Sequence, residues 1–286
     1  MTYHFKKSLI LFLLLPVSLA AFIWLQHYYA LTENSGYLAD YKLYKGPLKI
    51  AQSAGQSSGL AFNPDNEQLY VVVSEPPEIH VLSAKGKHLY KIELAGFEDT
   101  EGITYISNNQ FALVSERKGI VSWFTITDST RVIHFDPARA VTLFSKPVGN
   151  TGLEGISYAG DLKKLLIIKE RKPKKIYALS WPVVDIMQPE LTFPWDAELE
   201  HWWSNRGLSG VYYHQKTGHV FILSRRSRRI IEYTLQGKEV GSFALKTGSG
   251  SLPGPIKKAE GIVFSDDGTL YLCAEHNEFY IFKKSN

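Results

Sequence analysis

The sequence predicts an all-β fold, a five-bladed β-propeller, on three observations. A Gly-led apolar run, followed about fifteen residues later by a second run closing on a charged residue, recurs five times. The leading glycines (Gly59, Gly102, Gly155, Gly210 and Gly261) stand 43, 53, 55 and 51 residues apart, a spacing that fits a unit of several strands. Beyond the N-terminal segment, no long stretch follows the 3.6-residue helical period.

The chain of 286 residues opens on a different material. Lys6 and Lys7 precede Ser8–Leu25, an uncharged run of Leu, Ile, Phe and Ala. Ser18-Leu19-Ala20 would serve a signal peptidase, but the apolar run continues through Leu25, and about 20 such residues span a bilayer. Trp24, Tyr28 and Tyr29 then sit where an interfacial aromatic belt belongs. The favoured expectation is one uncleaved transmembrane signal-anchor helix. Positive charge lies only ahead of it, which keeps the N-terminus in the cytoplasm and exports the rest. For a bacterium this means the inner membrane, with the propeller facing the periplasm. The expected organisation is a membrane anchor over 1–31, a polar linker over 32–40 and the propeller over 41–286.

Each blade parses into short strands separated by turn residues. Blade one reads Gly59–Phe62, Gln68–Ser74, Glu78–Ser83 and His88–Leu94. Blade two reads Gly102–Ile106, Gln110–Ser115, Gly119–Ile126 and a late run at Val141–Phe144. Blade three reads Gly155–Tyr158, Lys164–Lys169 and Lys175–Leu179, with its outer strand unassigned. Blade four reads Val211–His214, His219–Ser224, Arg229–Leu235 and Glu239–Leu245. Blade five has only Gly261–Phe264, Thr269–Ala274 and Glu278–Phe282 before the chain stops. The spare strand Tyr41–Ile50 can close it from the N-terminus and remove an exposed edge. A six-bladed ring would need a sixth Gly-led pair, and none is found. Trp181–Gly207 and Lys246–Lys258 exceed ordinary connection lengths and precede inner strands, so both should rise on one face.

The repeat also predicts where charge gathers. Strand one and strand two are antiparallel, so the start of one lies beside the end of the other. The residues before each Gly are Ser58, Glu101, Glu154, Ser209 and Glu260; those closing strand two are read as Glu75, Glu116, Glu170, Arg225 and Glu275. Crowded carboxylates must raise their pKa values, recruit cations or find arginines. Two resolutions stand open. In one, Glu101, Glu154 and Glu260, with Glu116, Glu170 and Glu275 beside them, hold a hard divalent cation, most naturally Ca²⁺. In the other, Arg117, Arg171, Arg225 and Arg226 pair with the acids and join the blades. His276 follows Glu275 and should lie near the same mouth. Glu at both positions in blades two, three and five places any ligand on that side of the ring.

Several function classes recede. The net charge of +4 is mild and its cations form no tract with interleaved aromatics, which argues against nucleic acid. A single Cys permits neither an internal disulfide nor a thiolate zinc site, and Cys273 reads as a core residue. Gly55-Gln56-Ser57-Ser58-Gly59 matches G-x-S-x-G but leads into a strand, not the helix a nucleophile elbow needs. Trp202-Trp203 reads as loop packing or as a docking surface for a partner.

The runs SGLAFNPDNEQLYVVVSEPPEIHVLS, TEGITYISNNQFALVSERKGIV, LEGISYAGDLKKLLIIKERKPKKIYAL, LSGVYYHQKTGHVFILSRRSRRIIEYTL and AEGIVFSDDGTLYLCAEHNEFYIF resemble the SdiA-regulated family of bacterial proteins over residues 41–286. That resemblance implies a membrane-attached, periplasm-facing propeller and no particular activity. Calcium at the mouth fits both this family and the distantly similar lactonase-like propellers. In the latter, a Glu before the first blade's Gly is a metal ligand; here that position is Ser58. The functional expectation is therefore a binding or scaffolding module for a protein or small-molecule ligand. A metal-dependent hydrolase of lactonase type is the alternative.

Overall fold

The computed structural model describes residues 34–50, 56–143, 152–170, 176–192 and 207–285. The expected membrane segment, Arg171 and Trp202-Trp203 lie outside the described residues. No helix among the described residues is long and apolar enough to cross a membrane.

The first strand is β1 (Tyr41–Lys49). Blade one follows as β2 (Ser57–Asn63), β3 (Gln68–Ser74), β4 (Pro77–Ser83) and β5 (His88–Ala95). Blade two is β6 (Thr100–Ser107), β7 (Gln110–Ser115) and β8 (Ile120–Thr125). Between β8 and its outer partner comes β9 (Val132–His134), which leaves blade two and pairs parallel to β5 as a fifth strand of blade one. The outer strand of blade two is β10 (Ala140–Thr142). Blade three is β11 (Leu153–Ala159), β12 (Lys164–Lys169), β13 (Ile176–Ser180) and the two-residue β14 (Leu191–Thr192). Blade four is β15 (Leu208–His214), β16 (His219–Ser224), β17 (Arg229–Tyr233) and β18 (Glu239–Ala244). Blade five is β19 (Ala259–Phe264), β20 (Leu270–Ala274) and β21 (Glu278–Lys284). There β1 pairs antiparallel with β21, from Tyr41 opposite Lys284 to Lys49 opposite Glu278. The N-terminal strand thus closes the last blade, as the strand count predicted.

Inner strands are buried on both faces because each blade is sandwiched between two others; β2 is buried at all seven positions. Such strands read as continuous apolar runs, whereas β5, at the outside, is largely exposed. The core is correspondingly divided into five layers, one between each pair of neighbours. Phe111 and Leu113 meet Tyr70 and Val72 between blades one and two. Phe221 and Leu223 meet Phe264 and Leu272 between blades four and five. Cys273 is fully buried between blades five and one, a core residue as expected.

At the axis the five repeat glycines face one another. A Cβ on Gly59 would lie 2.4 Å from the Glu101 carbonyl oxygen, and one on Gly102 would lie 2.8 Å from that of Glu154. A Cβ would likewise lie 2.9 Å from Val211 N at Gly155, 2.9 Å from the Glu260 carbonyl oxygen at Gly210, and 2.6 Å from Cys273 Sγ and 2.8 Å from Leu60 N at Gly261. Only glycine lets the inner strands approach this closely.

Of the segment read as a linker, residues 34–40 are docked on blade four. Ser35 N donates to Ser242 O (2.7 Å), and Asn34 Oδ1 accepts from Ala244 N (3.0 Å) and Ser249 Oγ (2.7 Å). Tyr37 N donates to the buried Glu232 carboxylate at 2.7 Å, which also holds His219 Nδ1 at 2.6 Å. The Lys246–Lys258 connection is more than a surface loop, because Leu252 and Ile256 are buried in the layer between blades four and five.

Candidate functional site

A β-bulge recurs at the same place in every inner strand. The pairing of strands one and two slips between Ser57 and Gly59, Thr100 and Ile103, Leu153 and Gly155, Leu208 and Gly210, and Ala259 and Gly261. An extra residue in one strand bends it and redirects a side chain. That position carries Ser58, Glu101, Glu154, Ser209 and Glu260, the residues the repeat singled out.

Ser58, Glu101, Glu154 and Glu260 line a cup of about 190 Å³ with Glu116, Glu170, Arg225 and Glu275. Its floor is the glycine ring, where the axial space narrows to about 10 Å³, at the limit of a single water. A separate cavity of about 310 Å³ lies beyond it, lined by Tyr105, Tyr158, Tyr212 and Phe264 among others.

Glu75 requires correction. The residue of blade one that lines the cup is Ser74, while Glu75 is an exposed turn residue. Gly59 pairs with Val72 as Gly155 pairs with Ile168, so position 74, not 75, corresponds to Glu170. A slip of one residue moves a strand side chain to the opposite face. Ser209 is fully buried and donates to Ala259 O at 2.7 Å, tying blade four to blade five outside the cup. His276 is exposed, in the left-handed region (φ 65°), and lines a neighbouring basic cavity instead.

Arg225 organises one side of the cup. Its guanidinium bonds Glu170, reaches Glu260 Oε1 at 3.1 Å and stands 4.0 Å from Glu154 Oε1. Burial works against its charge, but Glu260, Glu154 and Glu170 outweigh burial and hold it firmly protonated. The arginine resolution is thus realised for three acids from two blades. Glu275 pairs instead with Lys258, and Arg117 lies at 3.5 Å from Asp99. Arg226 is exposed and turned to the basic cavity. Glu260 and Glu275, read as metal ligands, are therefore held by cations of the protein.

Toward Glu116 and Glu101, beyond the acids that Arg225 touches, the carboxylates outnumber the cations. Oxygens of Glu116, Glu154 and Glu170 lie within 4.8 Å of one another, all three residues buried, and those of Asp99, Glu101 and Glu116 form a second such group. Glu116 Oε1 also accepts from Gly152 N at 3.2 Å. Burial raises the Glu116 carboxyl. Burial first, then the charges of Glu116 and Glu260, hold Glu101 well above the usual carboxylate range. Glu154 is raised by burial and by Glu101, with Arg225 opposing. Glu260 is pushed up to about 7 by burial, again against Arg225. These groups would each gain from a cation not present in the chain. The donors are all carboxylate oxygens, with no His or Cys among them, which suits a hard divalent ion.

Asp99 was missed by the repeat pattern. It lies ahead of the repeat, turned by a left-handed backbone (φ 54°), and accepts from Arg117 N at 2.9 Å. Its only signal was the acidic cluster Glu98-Asp99-Thr100-Glu101.

Fold and cup together define a five-bladed propeller with a buried acidic mouth. The chain belongs to the SdiA-regulated family, whose model matches residues 33–283. Among solved structures it is similar to glutaminyl cyclase from Myxococcus xanthus, with a TM-score of 0.57 at 12% identity, covering 85% of this chain and 95% of that one. It is also similar to the calcium-binding protein regucalcin from Agrobacterium tumefaciens (TM-score 0.52, 12% identity, 84% and 95% covered). A gluconolactonase from Xanthomonas campestris gives a TM-score of 0.52 at 10% identity, with 88% and 94% covered. At these identities the likeness is one of fold.

Proposed function

We propose that this protein is a binding module tethered to the bacterial inner membrane, with its propeller in the periplasm and a divalent cation, Ca²⁺ by chemistry, as part of its mouth. The observation that carries the cation is the convergence of Glu116, Glu154 and Glu170 from two adjacent blades. Arg225 neutralises part of that charge and leaves the face toward Glu116 and Glu101 uncompensated. Ca²⁺ takes six to eight oxygens, so three carboxylates would leave positions for water or for a carboxylate-, carbonyl- or hydroxyl-bearing ligand. The tether rests on Ser8–Leu25 and the charge ahead of it.

The test is calorimetric titration of Ca²⁺ into chelator-stripped protein, alongside Glu116→Gln/Glu170→Gln and, as control, Glu75→Gln. Stoichiometric binding should be lost in the double variant and kept in the control. Equal binding by all three overturns the assignment. The hydrolase alternative draws on Glu101, whose carboxyl lies beside the proposed cation and is held well above the usual carboxylate range by burial and the neighbouring acids, as a general acid–base group requires. Ca²⁺-dependent lactone hydrolysis that vanishes in Glu101→Gln would favour that reading over simple binding.

A further inference from the structure

Beside the acidic cup, and sharing Arg225 and Glu275 with it, lies an open cavity of about 610 Å³ whose remaining lining is cationic apart from His276. Arg226 and Arg228 reach it from the turn between β16 and β17, and Lys257 and Lys258 from the end of the 245–258 connection. His276 joins them from the turn after β20, and Lys49 Nζ donates to His276 O at 3.0 Å. Lys258 pairs with Glu275 and Lys49 lies 3.8 Å from Glu278. Among the described residues, Arg226, Arg228 and Lys257 have no carboxylate partner, and all three are exposed. Among the described residues, most acids of the cup are recessed and buried, whereas the cations of this rim stand exposed to an approaching surface.

The same face is where the chain arrives from its N-terminus. Asn34 is bonded at the end of β18 that feeds the 245–258 connection, through Ala244 N and Ser249 Oγ. Leu25 closes the apolar run, and the residues between it and Asn34 extend at most about 30 Å at roughly 3.5 Å each. The tether therefore holds this basic rim within reach of a bilayer, and its docked end restricts rotation of the propeller.

We propose that the rim formed by Arg226, Arg228, Lys257, Lys258 and His276 docks on anionic phospholipid headgroups and turns the acidic mouth toward the membrane. This rests on the membrane-tethered reading above. Each exposed Lys or Arg near an anionic surface is worth about a fivefold gain in occupancy. Losing three should lower the docked-to-free ratio on the order of 100-fold.

The experiment places the full-length protein in nanodiscs of phosphatidylcholine, with or without phosphatidylglycerol. A dye at Gly254→Cys reports energy transfer to acceptor-labelled lipid. A side chain at Gly254 meets nothing within 4 Å, and the native Cys273, fully buried, stays unlabelled. Transfer should be higher in the anionic discs, and the difference should vanish in Arg226→Gln/Arg228→Gln/Lys257→Gln or at high salt. Equal transfer in both lipids, with the protein incorporated, overturns the docking alone. Failure to incorporate at all overturns the tether and the docking together. About 20 mM inorganic phosphate, compared at matched ionic strength, is the second arm. If phosphate abolishes the difference where chloride does not, the rim is a site for small anions and the lipid assignment falls.

Discussion

Replacing Arg225 by Gln tests the electrostatics of the cup most directly. The substitution removes the guanidinium that Glu170, Glu260 and Glu154 share and leaves three buried carboxylates facing one another. Removing one partner of a buried pair costs about 3–5 kcal/mol, because the remaining charge stays desolvated. For a domain of this size that is roughly 6–20 °C in Tm, at about 2–4 °C per kcal/mol. The loss must depend on pH in a definite direction. Glu260 already has its carboxyl raised from 4.5 to about 7, so its stabilising contribution is complete below 4.5 and disappears as pH rises through 7. Without Arg225 the carboxyls rise further, and the variant must lose stability more steeply between about pH 5 and pH 8. Thermal unfolding of metal-free wild type and variant at both values is the assay. A Tm deficit that is large near pH 8 and small near pH 5 is expected; equal deficits at the two values would refute the reasoning. Arg225→Lys, which keeps the charge but loses the planar fork, should fall between them.

Three further outcomes follow from the same geometry. The proposed Ca²⁺ would compete with protons at Glu116 and Glu154, whose carboxyls are raised by burial, so its affinity should weaken as pH falls, with proton release measurable by titration in buffers of different ionisation heat. Gly59→Ala puts a methyl 2.4 Å from the Glu101 carbonyl oxygen and should cost about 1–3 kcal/mol in chemical denaturation, far more than alanine at the unencumbered Gly254. Glu232→Ala removes the acceptor for Tyr37 N and should expose residues 34–40 to limited proteolysis while the ring, closed by β1, remains resistant.

The blade count was legible because the axis of a propeller imposes a local requirement five times. Each inner strand needs a Gly at the point of closest approach and an apolar run on both sides, and those demands fall on contiguous residues. The closure by Tyr41–Lys49 was legible for a similar reason, since blade five lacks an outer strand in the sequence. Outer elements were harder to read. The two-residue Leu191–Thr192 strand and the parallel Val132–His134 strand are set by the sheet edge that receives them, and short exposed segments carry little pattern of their own. Family membership, carried by the five runs, was legible as well.

For the site, the sequence by itself determined which residues precede the glycines and that acids crowd one mouth. It placed Glu101, Glu154 and Glu260 there because the repeat fixes their position relative to Gly. Tertiary structure alone decided how that charge is divided. The register of blade one puts Ser74 in the cup and Glu75 in solvent, a matter of one residue that no periodicity resolves. The reach of Arg225 across two blades ties up Glu260 and leaves Glu170 shared with the Glu116–Glu154 group, while Lys258 takes Glu275. Asp99, from outside the repeat, joins Glu101 and Glu116 on the side left over. Pairing among charges depends on distances of a few ångströms between segments far apart in the chain, and only the closed ring sets those distances.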